Sequence, residues 1–170
     1  MNRIGRATAC SLFVLALAGC SKKPPESLPP TPGAAPQTSA PAPATSGVVP
    51  GSQAEFVSTM SGRDTIFFST DDYSIDNEDA ASLRAQAEWL MRYPQKVAVV
   101  QGHADERGTR DYNLALGERR ATSARNYLVS LGVPDRRLSV VSYGEERPAN
   151  TGSNQAAWAQ NRRAVTVTID

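Results

Sequence analysis

The chain has 170 residues, of which 18 are basic and 17 acidic, giving a formal net charge of +1, and 40% are hydrophobic. One domain is the default at this length. A chain so close to neutral lacks the basic face that nucleic-acid binding requires, so we expect no nucleic-acid partner.

The first 19 residues have the pattern of a signal peptide. Arg3 and Arg6 precede an uncharged stretch that runs to Gly19, and this stretch is shorter than the about 20 apolar residues of a membrane-spanning helix. The segment ends in Leu17-Ala18-Gly19-Cys20, which resembles the lipobox of bacterial lipoproteins. That resemblance implies cleavage before Cys20 and acylation of Cys20, which would anchor the chain stably in a membrane. An ordinary cleaved signal is the alternative.

Residues 20–54 are predicted to form the lipidated cysteine and a disordered tether. The stretch is rich in Pro, Ala, Ser and Thr, and Lys22, Lys23 and Glu26 are its only charges. It has too few large apolar groups to offset the entropy lost on ordering. From residue 55 the composition becomes that of a folded domain, which we place at residues 55–170. Cys10 leaves with the signal and Cys20 carries lipid, so no disulfide is expected in the domain.

The first half of the domain is predicted to form a strand, a helix and a second strand. A run rich in Ile and Phe predicts a strand over residues 63–69. Asp76 or Asn77 can cap a helix that ends at Tyr93-Pro94, because the residue before a proline avoids the helical region. Residues 96–102 form the next predicted strand. The helix has an apolar stripe for the core: Ala80, Leu83, Ala87, Leu90 and Met91.

The second half adds a long helix and two strands. The helix ends at Gly132, strands follow over residues 138–143 and 164–169, and a polar loop over residues 145–154 leads to a short helical patch through Trp158. The order β-α-β-α-β-β predicts an α+β fold, a two-layer sandwich with a mixed four-stranded sheet and helices on one face. The long helix has its own buried seam: Leu114, Gly117, Ala121, Ala124, Leu128 and Leu131.

Few residues of the sequence suit catalysis or metal binding. His103 is the only histidine, so a Ser-His-Asp set would have to use it, and a zinc site would combine it with carboxylates alone. Gly102 and Gly108 match neither phosphate-loop spacing. We therefore expect no enzyme, no cofactor and no metal, and we interpret His103 as a strand-end residue hydrogen-bonded to nearby backbone.

Asp105 and Arg120 are the best candidates for ligand binding. Asp105 comes just after a strand, where ligands of open sheets bind. Arg120 adjoins the core position Ala121, at the edge of the helical seam and near the first turns of the helix. Arg120 suits a carboxylate and Asp105 suits an ammonium, so together they would fit an amino-acid centre. The alternative is that the two residues pair with each other.

Four segments resemble the peptidoglycan-associated lipoproteins and the wider OmpA-like domain family: TIFFSTDDYSI, VVQGHADERGTRDYNLALGERRA, VVSYGEERPA and NRRA. The resemblance covers about residues 63–169, and the lipobox and proline-rich tether also fit it. It implies the α+β fold given above. It also implies non-covalent binding of peptidoglycan through the diaminopimelate of its stem peptide.

The resemblance assigns roles to particular residues. The family's ligand-binding aspartate, arginine and asparagine fall on Asp105, Arg120 and Asn113. The turn after the first strand adds Asp71 and Thr70, and Thr109 and Leu116 are weaker assignments, Leu116 being equally suited to the core. Ser69 stands where many relatives have Asp. The set Asn161-Arg162-Arg163 is a family signature that we interpret as structural.

A lipoprotein that holds the outer membrane to the cell wall is the implied function. Ser21 after Cys20 favours the outer membrane by resemblance to the sorting rule of enteric bacterial lipoproteins, with the domain facing the periplasm. The resemblance further implies the Tol–Pal system and a periplasmic propeller partner, TolB, which would compete with peptidoglycan for one face. A wall-binding lipoprotein outside Tol–Pal and an envelope hydrolase are the alternatives.

Overall fold

The computed structural model of the protein describes residues 48–169. The predicted signal at residues 1–19, the lipidation site Cys20 and the predicted tether as far as residue 47 lie outside the described residues. Among the helices that the structure describes, none is long and apolar enough to cross a membrane. The described elements are, in order, α1 (Gln53–Met60), β1 (Thr65–Phe67), α2 (Asn77–Arg92), β2 (Val97–His103), α3 (Arg110–Ser130), a 3-10 turn (Asp135–Arg137), β3 (Leu138–Gly144), α4 (Gln155–Asn161) and β4 (Arg163–Ile169).

The four strands form one mixed sheet in the order β1-β4-β2-β3. The central strand β4 runs antiparallel to both β1 and β2, and β3 runs parallel to β2. Since β2 and β3 are parallel, a crossover must connect them, and α3 is that crossover. The mixed four-stranded sheet and its α+β class are confirmed.

The core lies between one face of the sheet and the helices. Alternate residues of β2 and β4 are buried, such as Ala98 and Val100 on β2 and Ala164 and Thr166 on β4. The opposite face of these strands is only partly covered. This alternation is the pattern of a sheet packed on one side, so the predicted two-layer arrangement is confirmed.

The helix α3 packs unusually close to the sheet because glycines meet at the contact. A Cβ built on Gly102 of β2 would lie 1.8 Å from the carbonyl oxygen of Gly117 on α3. A Cβ on Gly117 would lie 2.4 Å from the Ser142 hydroxyl. Only glycine permits such a backbone approach. The contact sets how far the first turns of α3 stand from the end of β2.

Helix α1 was not expected from the sequence. It begins at Gln53, ahead of the residue 55 at which the folded domain was predicted to start, and Ser52 caps it through the N–H of Glu55. Phe56 is fully buried in the core and meets Trp89 of α2 edge to face, with 5.0 Å between ring centres. Residues 53–54, predicted as tether, are therefore helical.

Two smaller predictions differ from the structure. The strand predicted over residues 63–69 is a three-residue strand, although the N–H of Phe68 still donates to the carbonyl of Arg162 at 2.9 Å. Met91 was placed in the apolar stripe of α2 but is 48% exposed, since it lies past the end of the stripe's arc. The predicted helix boundaries at these two residues are confirmed. Asp76 caps the start of α2, and Gly132 follows the end of α3 with φ at +101°.

Candidate ligand-binding site

A cavity of about 470 Å³ lies beside the carboxyl end of β2. Three segments line it, namely the loop after β1, the loop after β2 and the first turns of α3, and Arg162 joins them from the junction of α4 and β4. All seven residues predicted to bind ligand line this one cavity: Thr70, Asp71, Asp105, Thr109, Asn113, Leu116 and Arg120.

Local hydrogen bonds fix the loop between β2 and α3. Gly108 takes a φ of +111°, which favours glycine, and Thr109 caps α3 by accepting the N–H of Tyr112. The buried amide of Asn113 reaches back from α3 and donates to the carbonyl oxygens of Asp105 and Arg107, both at 3.1 Å. Asn113 therefore holds the loop that carries Asp105 in a set position.

Asp105 is buried, with 6% of its surface exposed, and its carboxylate is surrounded by donors. Oδ1 accepts from the backbone N–H and the Nε of Arg107 at 3.1 and 3.0 Å. Oδ2 accepts from Nη2 of Arg107 at 2.8 Å and from Nη1 of Arg162 at 3.3 Å. Burial disfavours the charged carboxylate, but these bonds outweigh it, so the pKa of Asp105 lies below its ordinary value.

Arg120 is fully buried at the floor of the cavity rather than at the edge of the helical seam. Its guanidinium donates to three backbone carbonyls, those of Asp72 at 2.8 Å, His103 at 2.9 Å and Ser69 at 2.9 Å. Burial lowers the pKa of Arg120 to about 10, so the group stays charged at neutral pH. A guanidinium has five N–H donors, so two are not used by these carbonyls.

Asp105 and Arg120 do not pair with each other. Within the part of the chain that the structure describes, the ion pairs of Asp105 are with Arg107 and Arg162. The alternative that the two predicted residues simply neutralise each other is therefore wrong. The cavity is lined by a carboxylate and a guanidinium, each of which is hydrogen-bonded to other groups.

The loop after β1 closes one side of the cavity. Asp71 adopts a left-handed φ of +55° and accepts the hydroxyl proton of Tyr112 at 3.1 Å. Thr70 accepts from Nη2 of Arg107 at 3.3 Å. Ser69 contributes its backbone carbonyl to Arg120, and its side chain is outside the cavity lining. Leu116 is both core and lining, because it is 4% exposed yet borders the cavity.

Sequence reasoning missed four lining residues: Arg107, Gly108, Tyr112 and Arg162. Arg107 follows Asp105 by two residues, and that spacing in a turn was the available signal. Arg162 belongs to the set interpreted as structural, and it both binds Asp105 and donates through Nε to the Phe68 carbonyl at 2.9 Å. Its neighbour Asn161 has the structural role, since its amide ties the residue 149–150 loop to the end of α4.

His103 is buried at the end of β2, and the nearby backbone of Arg147 favours its protonated form. This contact falls short of the expected hydrogen bond, because neither ring nitrogen has a partner with hydrogen-bond geometry among the described residues. The ring packs against Tyr143 with 5.5 Å between centres. Burial and the nearby Arg163 lower its pKa to about 4. No group of His, Cys, Asp and Glu side chains within residues 48–169 is arranged to hold a metal ion.

Comparison with known proteins places this chain in a family. Residues 67–162 match the OmpA family. The peptidoglycan-associated lipoprotein of Agrobacterium fabrum is 44% identical over 98% of this chain and 90% of that protein. Its counterpart in Rhizobium meliloti is 49% identical over 92% of this chain and 83% of that protein.

Solved structures agree. The peptidoglycan-associated lipoprotein of Burkholderia pseudomallei is 44% identical and superposes with a TM-score of 0.60 over 62% of this chain and 89% of that one. The C-terminal domain of Helicobacter pylori MotB, at 19% identity and a TM-score of 0.59 over 62% of this chain and 84% of that one, shares the fold. The chain therefore belongs to the OmpA family and, by its identity over nearly the whole length, to the peptidoglycan-associated lipoproteins within it.

Proposed function

We propose that the cavity binds peptidoglycan through the amino-acid centre at the end of the diaminopimelate side chain. Asp105 takes the ligand's ammonium and Arg120 takes its carboxylate. Each charge-assisted hydrogen bond contributes about 1.5–3 kcal/mol. Held through lipid on Cys20, the protein would then connect the outer membrane to the cell wall and perform no bond chemistry.

The single observation that carries this proposal is the pair of opposite charges in one cavity without a direct bond between them. Arg120 uses three donors on backbone carbonyls and keeps two. A carboxylate entering the cavity would meet a guanidinium that is already rigid, so little side-chain entropy is lost on binding. A free amino-acid centre carries both matching charges on one carbon. Family membership supports the same ligand.

Sedimentation with purified sacculi tests the proposal. We expect the full-length chain to pellet with sacculi, and Asp105→Asn to weaken this binding by at least about tenfold, or 1.4 kcal/mol. Asn keeps the shape of Asp but loses the charge that the ammonium needs. Glu118→Gln is the matched control, because Glu118 is an exposed acid on α3 outside the cavity. Equal pelleting of Asp105→Asn and wild type would overturn the site assignment, and release of soluble wall fragments would favour the hydrolase alternative.

We further propose that the protein works within the Tol–Pal system and that TolB approaches the same face. Membership of the peptidoglycan-associated lipoproteins supports the system, and the exposed Tyr112, which lines the cavity, supports the shared face. We expect stem-peptide fragments to reduce capture of TolB by the immobilised chain. Capture that is unaffected at saturating fragment would contradict the shared face, and no capture at all would favour a wall-binding lipoprotein outside the system.

A further inference from the structure

The Asp105 carboxylate has no free acceptor position for an incoming ammonium. Two oxygens offer about four lone-pair sites, and four donors occupy them: the backbone N–H, Nε and Nη2 of Arg107, and Nη1 of Arg162. A ligand ammonium can reach Asp105 only by replacing one of these donors.

The donor that can leave is the guanidinium of Arg107. The Arg162 side chain is 12% exposed and is also held through Nε by the Phe68 carbonyl at 2.9 Å. The Arg107 side chain is 37% exposed. Its only other side-chain hydrogen bond among the described residues is a long one to the Thr70 hydroxyl at 3.3 Å. The Arg107 guanidinium also donates the two shortest hydrogen bonds that Asp105 accepts, one to each oxygen. Its departure therefore opens a position on both oxygens.

Departure of Arg107 needs only a side-chain rotation. The backbone of Arg107 is held on both sides, since its N–H donates to Asp105 and its carbonyl accepts from Asn113 at 3.1 Å. The guanidinium carbon lies 4.4 Å from the ring centre of Trp158, and the Trp158 indole is itself fixed by the Glu106 carboxylate at 2.9 Å. The aromatic face already contacts this cation while it is paired with Asp105, so a rotation that keeps the contact would release the carboxylate and leave the cation on a favourable surface.

We propose that Arg107 is an internal competitor for the ligand, which occupies the ammonium position of the cavity and must be displaced when peptidoglycan binds. This proposal rests on the proposed function and adds how its affinity is set. An ammonium replaces a guanidinium at the same carboxylate, so the exchange conserves charge at Asp105. A ligand without an ammonium forms no contact with Asp105 that offsets the loss of the Arg107–Asp105 ion pair. Arg107 therefore selects for amine-bearing ligands.

Titration calorimetry of the full-length chain with a stem tripeptide that contains diaminopimelate tests this proposal. We expect Arg107→Gln to bind the tripeptide about fivefold more tightly than wild type, a gain of about 1 kcal/mol. Arg107→Lys keeps the charge but loses the two-point contact, so its affinity should fall between the two. Arg110→Gln is the matched control, because Arg110 is exposed and pairs with Glu146 outside the cavity. It removes the same charge and should leave affinity unchanged.

The outcomes separate this proposal from the function on which it rests. Tighter binding by Arg107→Gln alone supports the internal competitor. Equal or weaker binding by Arg107→Gln, together with binding by wild type that Asp105→Asn abolishes, overturns the competitor and leaves the proposed function standing. An equal gain in Arg107→Gln and Arg110→Gln assigns the effect to net charge and also overturns the competitor. Absence of binding by wild type overturns the proposed function and this proposal together.

Discussion

Arg120 illustrates how one side chain can have a structural and a binding role at once. Its guanidinium ties together the carbonyls of Ser69, Asp72 and His103, so it joins the loop after β1 to the end of β2. The same group faces the cavity. Loss of binding in an Arg120 variant therefore cannot by itself be assigned to the ligand contact.

We expect Arg120→Ala to lower the free energy of unfolding by at least about 2 kcal/mol, because it leaves buried carbonyls without their donor. Asp105→Asn should also lower it, because the amide offers one acceptor oxygen where the four donors from Arg107 and Arg162 meet two in the wild type. Urea denaturation of both variants measures the two losses. Wild-type stability in Arg120→Ala would show that the three carbonyls need no guanidinium.

The lowered pKa of His103 predicts that the protein loses stability in acid. Its folded pKa is about 4, below the ordinary value of about 6.5, so the unfolded chain takes up a proton at a higher pH than the folded one. The contribution of neutral His103 to the free energy of unfolding is complete above pH 6.5. It falls as the pH drops from 6.5 to 4, by about 1.4 kcal/mol per pH unit. Asp79 acts in the opposite sense, since burial raises its pKa to about 6 and stability from this group increases as the pH falls.

The comparison of wild type with His103→Phe isolates the histidine, because Asp79 is common to both. Phe fills the place beside Tyr143 and removes two ring nitrogens that lack partners among the described residues. We expect His103→Phe to be at least as stable at pH 7 and to gain relative to wild type as the pH falls to 4. Thermal melts across this range check it, and parallel curves for the two proteins would contradict the assignment.

At the scale of elements, the contact between β2 and α3 positions the whole site. Gly102 meets the backbone of Gly117 there, which brings the first turns of α3 beside the loop that carries Asp105. The glycines are needed for space rather than for an unusual φ, because neither has a positive φ.

We expect Gly102→Ala to destabilise the protein by about 1–3 kcal/mol or more, because its Cβ would overlap backbone that cannot yield. Gly152→Ala is the matched control, since the nearest atoms to its Cβ are the side-chain amides of Asn154 and Asn150, at 3.0 and 3.2 Å, rather than backbone. Chemical denaturation of the two variants compares them. Similar stabilities would show that α3 can move away from the sheet.

The elements were predictable where their pattern is local. The apolar stripe and cap of α2 and the alternation of β4 are visible in the sequence, and both elements form as predicted. Helix α1 was missed because its two core residues, Phe56 and Met60, are too few to make a periodic signal beside a proline-rich stretch. The burial of Arg120 was missed because its partners are carbonyls of residues 17 to 51 positions away, and sequence patterns carry no information on such bonds.

The candidate site was predictable as a set of residues but not as a network. All seven predicted residues line one cavity, because each belongs to a motif whose spacing could be matched to the family. The bonds from Arg107 and Arg162 to Asp105 depend on how two distant segments meet, and the sequence shows only that these arginines exist.

For the molecule as a whole, we propose that one cavity recognises a free amino-acid centre and so attaches the chain to the wall. The measurement that tests it most directly is calorimetric titration of the full-length chain with two stem tripeptides, one containing diaminopimelate and one containing lysine at the same position. Lysine ends in an ammonium alone, so it can meet Asp105 but offers no carboxylate to Arg120.

We expect the diaminopimelate tripeptide to bind at least about tenfold more tightly, or 1.4 kcal/mol, and Asp105→Asn to weaken the binding of both tripeptides, because both carry the ammonium that Asp105 meets. Equal affinity of the wild-type chain for the two tripeptides would contradict this recognition, because it would mean that Arg120 holds the fold together and makes no contribution to ligand binding.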